Sequence, residues 1–271
     1  MVVAICFDKN YQKWATVCLY SIWEQHKGDS QKIRLVILSD ITYSQSIWQL
    51  KKVLKHFDFT FDNSGNDFDS MPTGYHFNIT TYWRLALPKV LAHYEIERAI
   101  YLDADTLVVD GLHELFNINL NGKTCGGSLD IGSVKDIDRM GLKQGFAING
   151  GVLLMNVAKM NQFNWAEEAN RLNLEGRIKW VDQDVINIVL DGEVELIDLK
   201  WNVQSGNLQN GYESEVNIVH FTESNNTKPW SIKSKHRFLG VYNTYMRKSG
   251  FYFEYLWFEI IRRIRKGSLF N

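Results

Sequence analysis

The stretch Arg98-Ala99-Ile100-Tyr101-Leu102-Asp103-Ala104-Asp105 sets a run of four apolar residues against two carboxylates one position apart. A short continuous apolar run is what a strand buried on both faces requires, and the acids mark where the chain leaves the sheet. Residues i and i+2 of an extended chain project to the same side, so Asp103 and Asp105 are placed to share one hard divalent cation. Burying two ionised carboxylates together without a counter-charge is costly and raises one pKa sharply. A bound cation resolves that conflict.

The spacing alone is not selective, because the 17 aspartates form four Asp-x-Asp pairs. Asp67/Asp69 falls in the turn-rich stretch 63–74 and Asp136/Asp138 lies between a lysine and an arginine, so both are expected to be solvated surface. Asp182/Asp184 opens an apparent helix, where acids also serve as caps favoured by the helix dipole. Asp103/Asp105 differs in closing an apolar strand, where an open α/β sheet places its ligands.

The flanking sequence supports such a sheet. Residues 2–7 form a β-branched apolar run closed by Asp8-Lys9-Asn10. Trp14, Val17, Cys18, Ser21 and Ile22 follow at helical spacing, then a second apolar run over 33–38 and a helix over 47–54. This alternation predicts a central, mostly parallel sheet flanked by helices, with a ligand crevice beyond the carboxyl ends of the strands. Further strands are expected over 57–61, 98–102, 150–156 and 194–199. Helices are expected over 165–172, 181–190 and 79–94, the last interrupted or kinked at Pro88.

With 45% hydrophobic and 23% charged residues in 271 positions, disorder and fibrous classes are excluded. A net charge of −1 gives no reason to expect nucleic acid as a partner. Three widely spaced cysteines, Cys6, Cys18 and Cys125, fit neither a disulfide framework nor a zinc site. Residues 1–7 lack a basic leader and no stretch approaches the ~18 apolar residues of a membrane span, so a cytoplasmic, non-integral protein is expected.

One domain is expected over 1–240, followed by a basic aromatic tail over 241–271. Residues 242–266 carry a net charge of +4, which leaves −5 for the rest of the chain. Phe251, Phe253, Trp257 and Phe258 surround those cations. That composition suits a helix lying on an anionic bilayer, and equally a terminal helix packed on the body.

His220 follows the apolar segment 216–219 and could complete a coordination set with Asp103 and Asp105, or be a hydrogen-bonded core histidine. Oxygen ligands with one imidazole suit Mn²⁺ better than Mg²⁺. Lys228-Pro229-Trp230 places a cation beside a rigid turn and an aromatic ring.

Taken in order, Cys6-Phe7-Asp8-Lys9-Asn10-Tyr11, Ile79-Thr80-Thr81-Tyr82-Trp83-Arg84-Leu85 and Tyr101-Leu102-Asp103-Ala104-Asp105 are followed by Asn149-Gly150-Gly151-Val152-Leu153-Leu154-Met155-Asn156. Asp182-Gln183-Asp184-Val185-Ile186-Asn187 and His220 with Lys228-Pro229-Trp230 complete the series. This series resembles glycosyltransferase family 8, the retaining enzymes of the lipooligosaccharide galactosyltransferase and glycogenin type, up to about Trp230.

The resemblance implies a GT-A fold that transfers galactose or glucose from a UDP-sugar to a hydroxyl of a glycan, glycolipid or glycoprotein. By motif match, Asp103, Asp105 and His220 would hold Mn²⁺, and Cys6, Asp8, Asn10 and Tyr11 would line the uridine pocket. Ala104 would meet the ribose and Lys228 the phosphate. Arg84, Asp130, Asn149 and Gly150 would contact donor sugar or acceptor, and Asp182 and Gln183 would lie against the reacting carbon. One departure stands out: Glu223 occupies a position that is usually glycine, and Lys228 comes eight residues after His220 rather than six.

Two rival readings remain at this level. A metal-dependent sugar nucleotidyltransferase also uses carboxylates at a strand end, although the glycine-rich phosphate loop such an enzyme needs after its first strand is missing. A non-catalytic nucleotide-sugar or glycan-binding module would share the pocket without turnover.

Overall fold

The computed structural model describes residues 1–64, 79–222 and 228–265, so the Asp67/Asp69 pair and Glu223 lie outside the described residues. The first half alternates as expected: β1 (Val2–Cys6), α1 (Gln12–His26), β2 (Arg34–Leu38), α2 (Trp48–Leu54), β3 (Asp58–Asp62), α3 (Trp83–His93) and β4 (Arg98–Asp103). Then come β5 (Thr106–Val108), α4 (His113–Asn117), β6 (Cys125–Leu129), α5 (Ile137–Met140), β7 (Ile148–Asn156), α6 (Val157–Met160), α7 (Trp165–Leu174) and α8 (Val181–Val189). The chain continues through β8 (Val194–Ile197), β9 (Val203–Gln204), α9 (Ser205–Gln209), β10 (Ile218–His220), α10 (Leu239–Lys248) and α11 (Tyr252–Arg265).

Among the described residues a seven-stranded sheet runs in the order β3-β2-β1-β4-β7-β6-β8, and a three-stranded sheet in the order β5-β10-β9. β1 pairs in parallel with both β2 and β4. The chain winds outward from β1 through β2 to β3 and then returns to the other side of β1. The crevice between β1 and β4 is therefore a switch point, where open α/β sheets bind ligands. Cys6 and Asp103 are partners in register at its carboxyl end.

β7 is the exception to parallel order, antiparallel to β4 on one side and to β6 on the other. Its reversal matters for the site. The amino end of β7, carrying Asn149, Gly150 and Gly151, arrives at the same edge as the carboxyl end of β4.

Side chains alternate across β1 into two cores. Val3 and Ile5 pack with α1, α2 and α10 on one face of the sheet, whereas Ala4 and Cys6 pack with α3, α7 and α8 on the other. Asp8 closes the turn into α1, its Oδ1 accepting the backbone N–H groups of Asn10 and Tyr11 at 2.9 Å each. α3 runs through Pro88 as one α-helix, contrary to the expected interruption, and the change of helix type falls at Tyr82/Trp83, where a 3₁₀ turn over Ile79–Tyr82 precedes it. A proline there forfeits one bond, to the Arg84 carbonyl, which the packed face of α3 outweighs.

The C-terminal region forms two helices rather than one over 242–266. Gly250, at φ +106°, ends α10, and the Phe251 N–H reaches back to the Met246 carbonyl at 3.1 Å. α10 is tied to α1 by the Gln25 amide donating to the Tyr245 hydroxyl (2.9 Å) and by Lys248 pairing with Glu24 (3.1 Å). Tyr242, Tyr245, Met246 and Phe251 join the core. Among the described residues no helix is long and apolar enough to cross a membrane.

Candidate active site

Asp103 ends β4, Asp105 follows two residues later, and His220 ends β10, whose pairing with β5 is extended by the Phe221 N–H donating to the Asp105 carbonyl at 3.0 Å. Ligand atoms of the three lie within 4.8 Å of one another. His220 Nε2 is 3.3 Å from Asp105 Oδ1 and 3.5 Å from Asp103 Oδ2.

The other ring nitrogen decides what Nε2 can do. His220 Nδ1 faces two amide oxygens, Asn149 Oδ1 at 3.1 Å and Asn202 Oδ1 at 3.0 Å. Asn149 Oδ1 is fixed as the oxygen because it also accepts from the Gly151 N–H (3.0 Å) and from Asn202 Nδ2 (2.9 Å). Two acceptors at Nδ1 require it to carry the proton, so in the neutral ring the Nε2 lone pair points at two carboxylates. Lone pairs facing carboxylate oxygens repel unless a cation or a second ring proton lies between them. An outer hydrogen bond that fixes the tautomer in this way is what a metal-ligating histidine needs, and the residues present fit a divalent ion.

Burial of the acid pair does not by itself demand that ion, contrary to the expectation above. Arg84 reaches Asp103 Oδ1 at 3.0 Å, and Lys228 Nζ pairs with Asp105 Oδ2. Burial would raise the Asp105 pKa, but the Lys228 ammonium opposes it and the carboxyl is held well below the usual carboxylate range. Tyr101 donates its hydroxyl to Asp103 Oδ1 at 2.5 Å, and its ring lies 5.2 Å from the Arg84 guanidinium carbon.

Arg84 also pairs through Nε with Asp182, and so bridges the acid pair to the first residue of the Asp182-Gln183 motif. Its path crosses β7 over Gly150, where an added Cβ would sit 2.7 Å from Arg84 Nη1. Burial pushes the Asp182 carboxyl up to about 7, with Arg84 opposing and Asp103 adding to the rise. Gln183 Oε1 accepts from Asn149 Nδ2 (3.1 Å) and the Gly150 N–H (3.3 Å), while its Nε2 donates to Asp130 Oδ2 (2.8 Å). Asp130 is anchored by the Gly132 N–H (3.0 Å) and the Ser133 hydroxyl (2.8 Å). Asp130, Gln183, Asn149 and His220 thus form one hydrogen-bonded chain.

The turn before Asp182 is held from the other side. Asp184 Oδ2 accepts the backbone N–H groups of Lys179 (2.7 Å) and Trp180 (2.9 Å), and Val181 is forced to φ +39°. For a β-branched residue that conformation is strained and persists only where its surroundings over-determine it. Asp136 contributes, taking bonds from Trp180 Nε1 (2.9 Å) and Arg139 Nε (2.8 Å). Asp136 is buried, not solvated as expected, because Arg139 on α5 and Lys179 and Trp180, just before α8, all donate to it.

Cys6 is buried beside Arg84 and Asp103, and burial pushes its thiol pKa up. Tyr11 is half exposed and its ring meets Trp230 edge-on at 6.4 Å, while Trp14 stacks on Trp230 at 4.3 Å. Ala104 is buried between the two acids, and Asn10 is exposed at the turn before α1. The structure therefore brings every candidate site residue to one edge of the sheet or to the loops rimming it. Asn202, Tyr101 and Gly151 were not singled out from sequence, and Gly-Gly inside a strand was the signal available for Gly151.

A second group, His26, Asp29 and His113, has ligand spacing but not ligand chemistry. His26 Nε2 accepts the Leu112 N–H at 3.0 Å, so its Nδ1 carries the proton donated to Asp29 at 2.8 Å. His26 is left with no lone pair for a cation, and the group is a latch between α1 and α4.

Residues 2–234 match the sequence profile of glycosyl transferase family 8. The chain belongs to that family. The chain is similar to a glycosyltransferase of Haemophilus influenzae, 29% identical over 213 residues that span 74% of this chain and 63% of that protein. The lipopolysaccharide 1,3-galactosyltransferase of Salmonella typhimurium is 26% identical over 179 residues, 59% of this chain and 52% of that one. The matched regions thus cover less than two thirds of these relatives' lengths. The fold is that of the galactosyltransferase LgtC, crystallised with donor and acceptor sugar analogues. It superposes with a TM-score of 0.80 at 22% identity over 92% of this chain and 96% of LgtC. This family 8 chain has the GT-A fold.

Proposed function

We propose that the protein is a retaining hexosyltransferase that moves galactose or glucose from a UDP-sugar to a hydroxyl of a glycan, glycolipid or glycoprotein in bacterial surface-glycan assembly, with Mn²⁺ as cofactor. The observation that carries this reading is the His220 ring, which donates its Nδ1 proton to two amide oxygens and presents Nε2 to Asp103 and Asp105. A divalent ion held there would offset the negative charge left on the diphosphate as the bond to the sugar breaks.

The chain's own groups divide the remaining work. Lys228 is placed to move from Asp105 to phosphate, as a point charge free to reorient at the end of its stem. Arg84 keeps Asp103 and Asp182 at a fixed separation. The Asp182 carboxylate and the Gln183 amide, both locked by their partners, offer electron-rich oxygens on the side away from the diphosphate, where positive charge develops on the sugar. Cys6, Asp8, Asn10, Tyr11 and Ala104 would hold uridine and ribose, and Arg84, Asp130, Asn149 and Gly150 the sugar or acceptor.

A panel of UDP-sugars with Mn²⁺ tests this reading. UDP release is expected from UDP-galactose or UDP-glucose, slow without acceptor and lost on chelation. Pyrophosphate release from UTP and a sugar 1-phosphate, without UDP release from any UDP-sugar, would point to nucleotidyl transfer instead.

The tail over 241–271 would place the enzyme at the inner face of the membrane. Phe253, Trp257, Ile260 and Ile264 recur every three to four residues on α11 and are all exposed, Phe253 by 81%. Arg247, Lys248 and Arg263 supply exposed cations nearby. Replacing Phe253 and Trp257 by Ser is expected to reduce sedimentation with phosphatidylserine vesicles about tenfold or more, from two lost aromatic contacts. Equal sedimentation of variant and wild type would remove the membrane reading.

A further inference from the structure

We infer that Arg262, on the C-terminal helix, is a positioning residue for the donor site, because it fixes the turn 228–231 that carries Lys228. The inference rests on the reading above that Lys228 meets the donor diphosphate.

Arg262 is buried, 9% exposed, although it lies 34 positions beyond Lys228 in a helix whose opposite face is open to solvent. Its Nη2 donates to the Pro229 carbonyl at 2.7 Å and to the Ser231 carbonyl at 3.2 Å, the two residues flanking Trp230. Nη1 donates to Glu259 at 3.2 Å, one turn back on the same helix. One guanidinium nitrogen thus bridges the turn from carbonyl to carbonyl while the other is held by Glu259, which fixes the plane of the group as a point charge would not be fixed.

The turn is held on its other side by aromatic packing. The Trp230 ring lies within 8° of parallel to Trp14, 4.3 Å away, and Tyr242 approaches it at 6.0 Å. The Ser231 N–H closes the turn on the Lys228 carbonyl at 2.9 Å. Lys228 Nζ lies 5.6 Å from the Trp230 ring and pairs with Asp105. Trp14 and Arg262 therefore clamp the segment from two elements far apart in sequence, and Lys228 projects from the clamped turn into the site.

Docking a helix does not require a buried cation. Phe251 and Phe258 already supply apolar contact to the core, and a buried guanidinium is costly unless its donors are met. Here Nη2 is met by the carbonyls of the turn beside Lys228 and Nη1 by Glu259, while Nε has no hydrogen-bond partner. In this reading α11 is a structural part of the donor site as well as the bearer of the exposed apolar stripe.

The test is a double-mutant cycle on the full-length protein, reading UDP affinity with Mn²⁺ by calorimetry together with KM and kcat for the UDP-sugar. R262A is expected to weaken UDP binding and raise KM about tenfold, as for loss of hydrogen bonds to a charged donor, with kcat within about threefold of wild type. R262K should recover part of the loss, its ammonium reaching the carbonyls without the fork. In a K228A background R262A should add less than about twofold, because its effect passes through Lys228. If R262A does not fold, R262K replaces it in the cycle, with a smaller but still Lys228-dependent loss.

Unchanged UDP affinity in R262A, or the same factor lost with and without Lys228, would overturn the inference. If K228A binds UDP as tightly as wild type, the diphosphate role of Lys228 fails and the inference fails with it. That outcome is distinct from an impaired K228A beside an unimpaired R262A, which defeats the clamp alone.

Discussion

Replacing Asp103 and Asp105 together by Asn is expected to lower kcat/KM for sugar transfer by about a thousandfold or more, the scale of losing a metal that stabilises a leaving group. The amides keep the shape of the carboxylates but neither their charge nor their affinity for a hard cation, so Mn²⁺-dependent UDP binding should vanish with activity. The variant will also be less stable, because Lys228 loses its anionic partner and Arg84 loses one of its two. For that reason activity is to be compared at a temperature where circular dichroism shows both proteins folded. The single variants separate two roles. D105N releases Lys228 while leaving Arg84 its bridge to Asp182, whereas D103N removes the anion that Arg84, Tyr101 and His220 all face. D103N is therefore expected to be the more damaging. Transfer by the double variant within tenfold of wild type would show that the acids hold no catalytic cation.

Much of this site was legible from local chemistry. Apolar runs over 2–7 and 98–102 ending in acid are strands buried on both faces, and their ends meet because β1 and β4 are neighbours in the sheet. What local chemistry misses is anything set by a distant partner. The reversal of β7 depends on pairing with β6, a strand whose sequence Cys125-Gly126-Gly127-Ser128-Leu129 has no strong strand signal. Asn202 sits beside a strand of two residues, too short for periodicity, yet it sets the tautomer of His220. Asp136 looked solvated beside Lys135 and Arg139. The donors that bury it, Lys179 and Trp180, come from forty-odd residues downstream. The break at Gly250 was readable in principle, since glycine after a basic helical turn is a common stop, but the surrounding aromatic and basic pattern runs through it unbroken.

Gly151→Ala should be the most damaging single methyl group that can be added to this protein's site. A Cβ there would lie 2.1 Å from His220 Cε1, 2.5 Å from His220 Nδ1 and 2.9 Å from Asp103 Oδ2, distances that real side chains do not adopt. Something must move, and the choices are few. The His220 ring is pinned by Asn149 and Asn202, and Asp103 by Arg84 and Tyr101, so relief comes from turning a proposed ligand out of place. Loss of outer contacts to a ligating histidine typically costs 10–100-fold in metal affinity, and displacing the ring itself should cost about a hundredfold or more. The backbone is not at fault, since Gly151 is not among the glycines at positive φ, and alanine suits its strand conformation. Gly126→Ala, in β6 of the same sheet, is the matching control: its Cβ would meet Leu120, Ile197 and Leu154 at 3.0, 3.1 and 3.5 Å, all apolar side chains. It should cost stability through crowding and leave Mn²⁺ titration of UDP binding unchanged. G151A is expected to lose that titration at comparable thermal stability. If G151A binds Mn²⁺ and UDP like wild type, His220 does not stand where the metal reading requires, and the charge balance supplied by Arg84 and Lys228 is then the whole purpose of the acid pair.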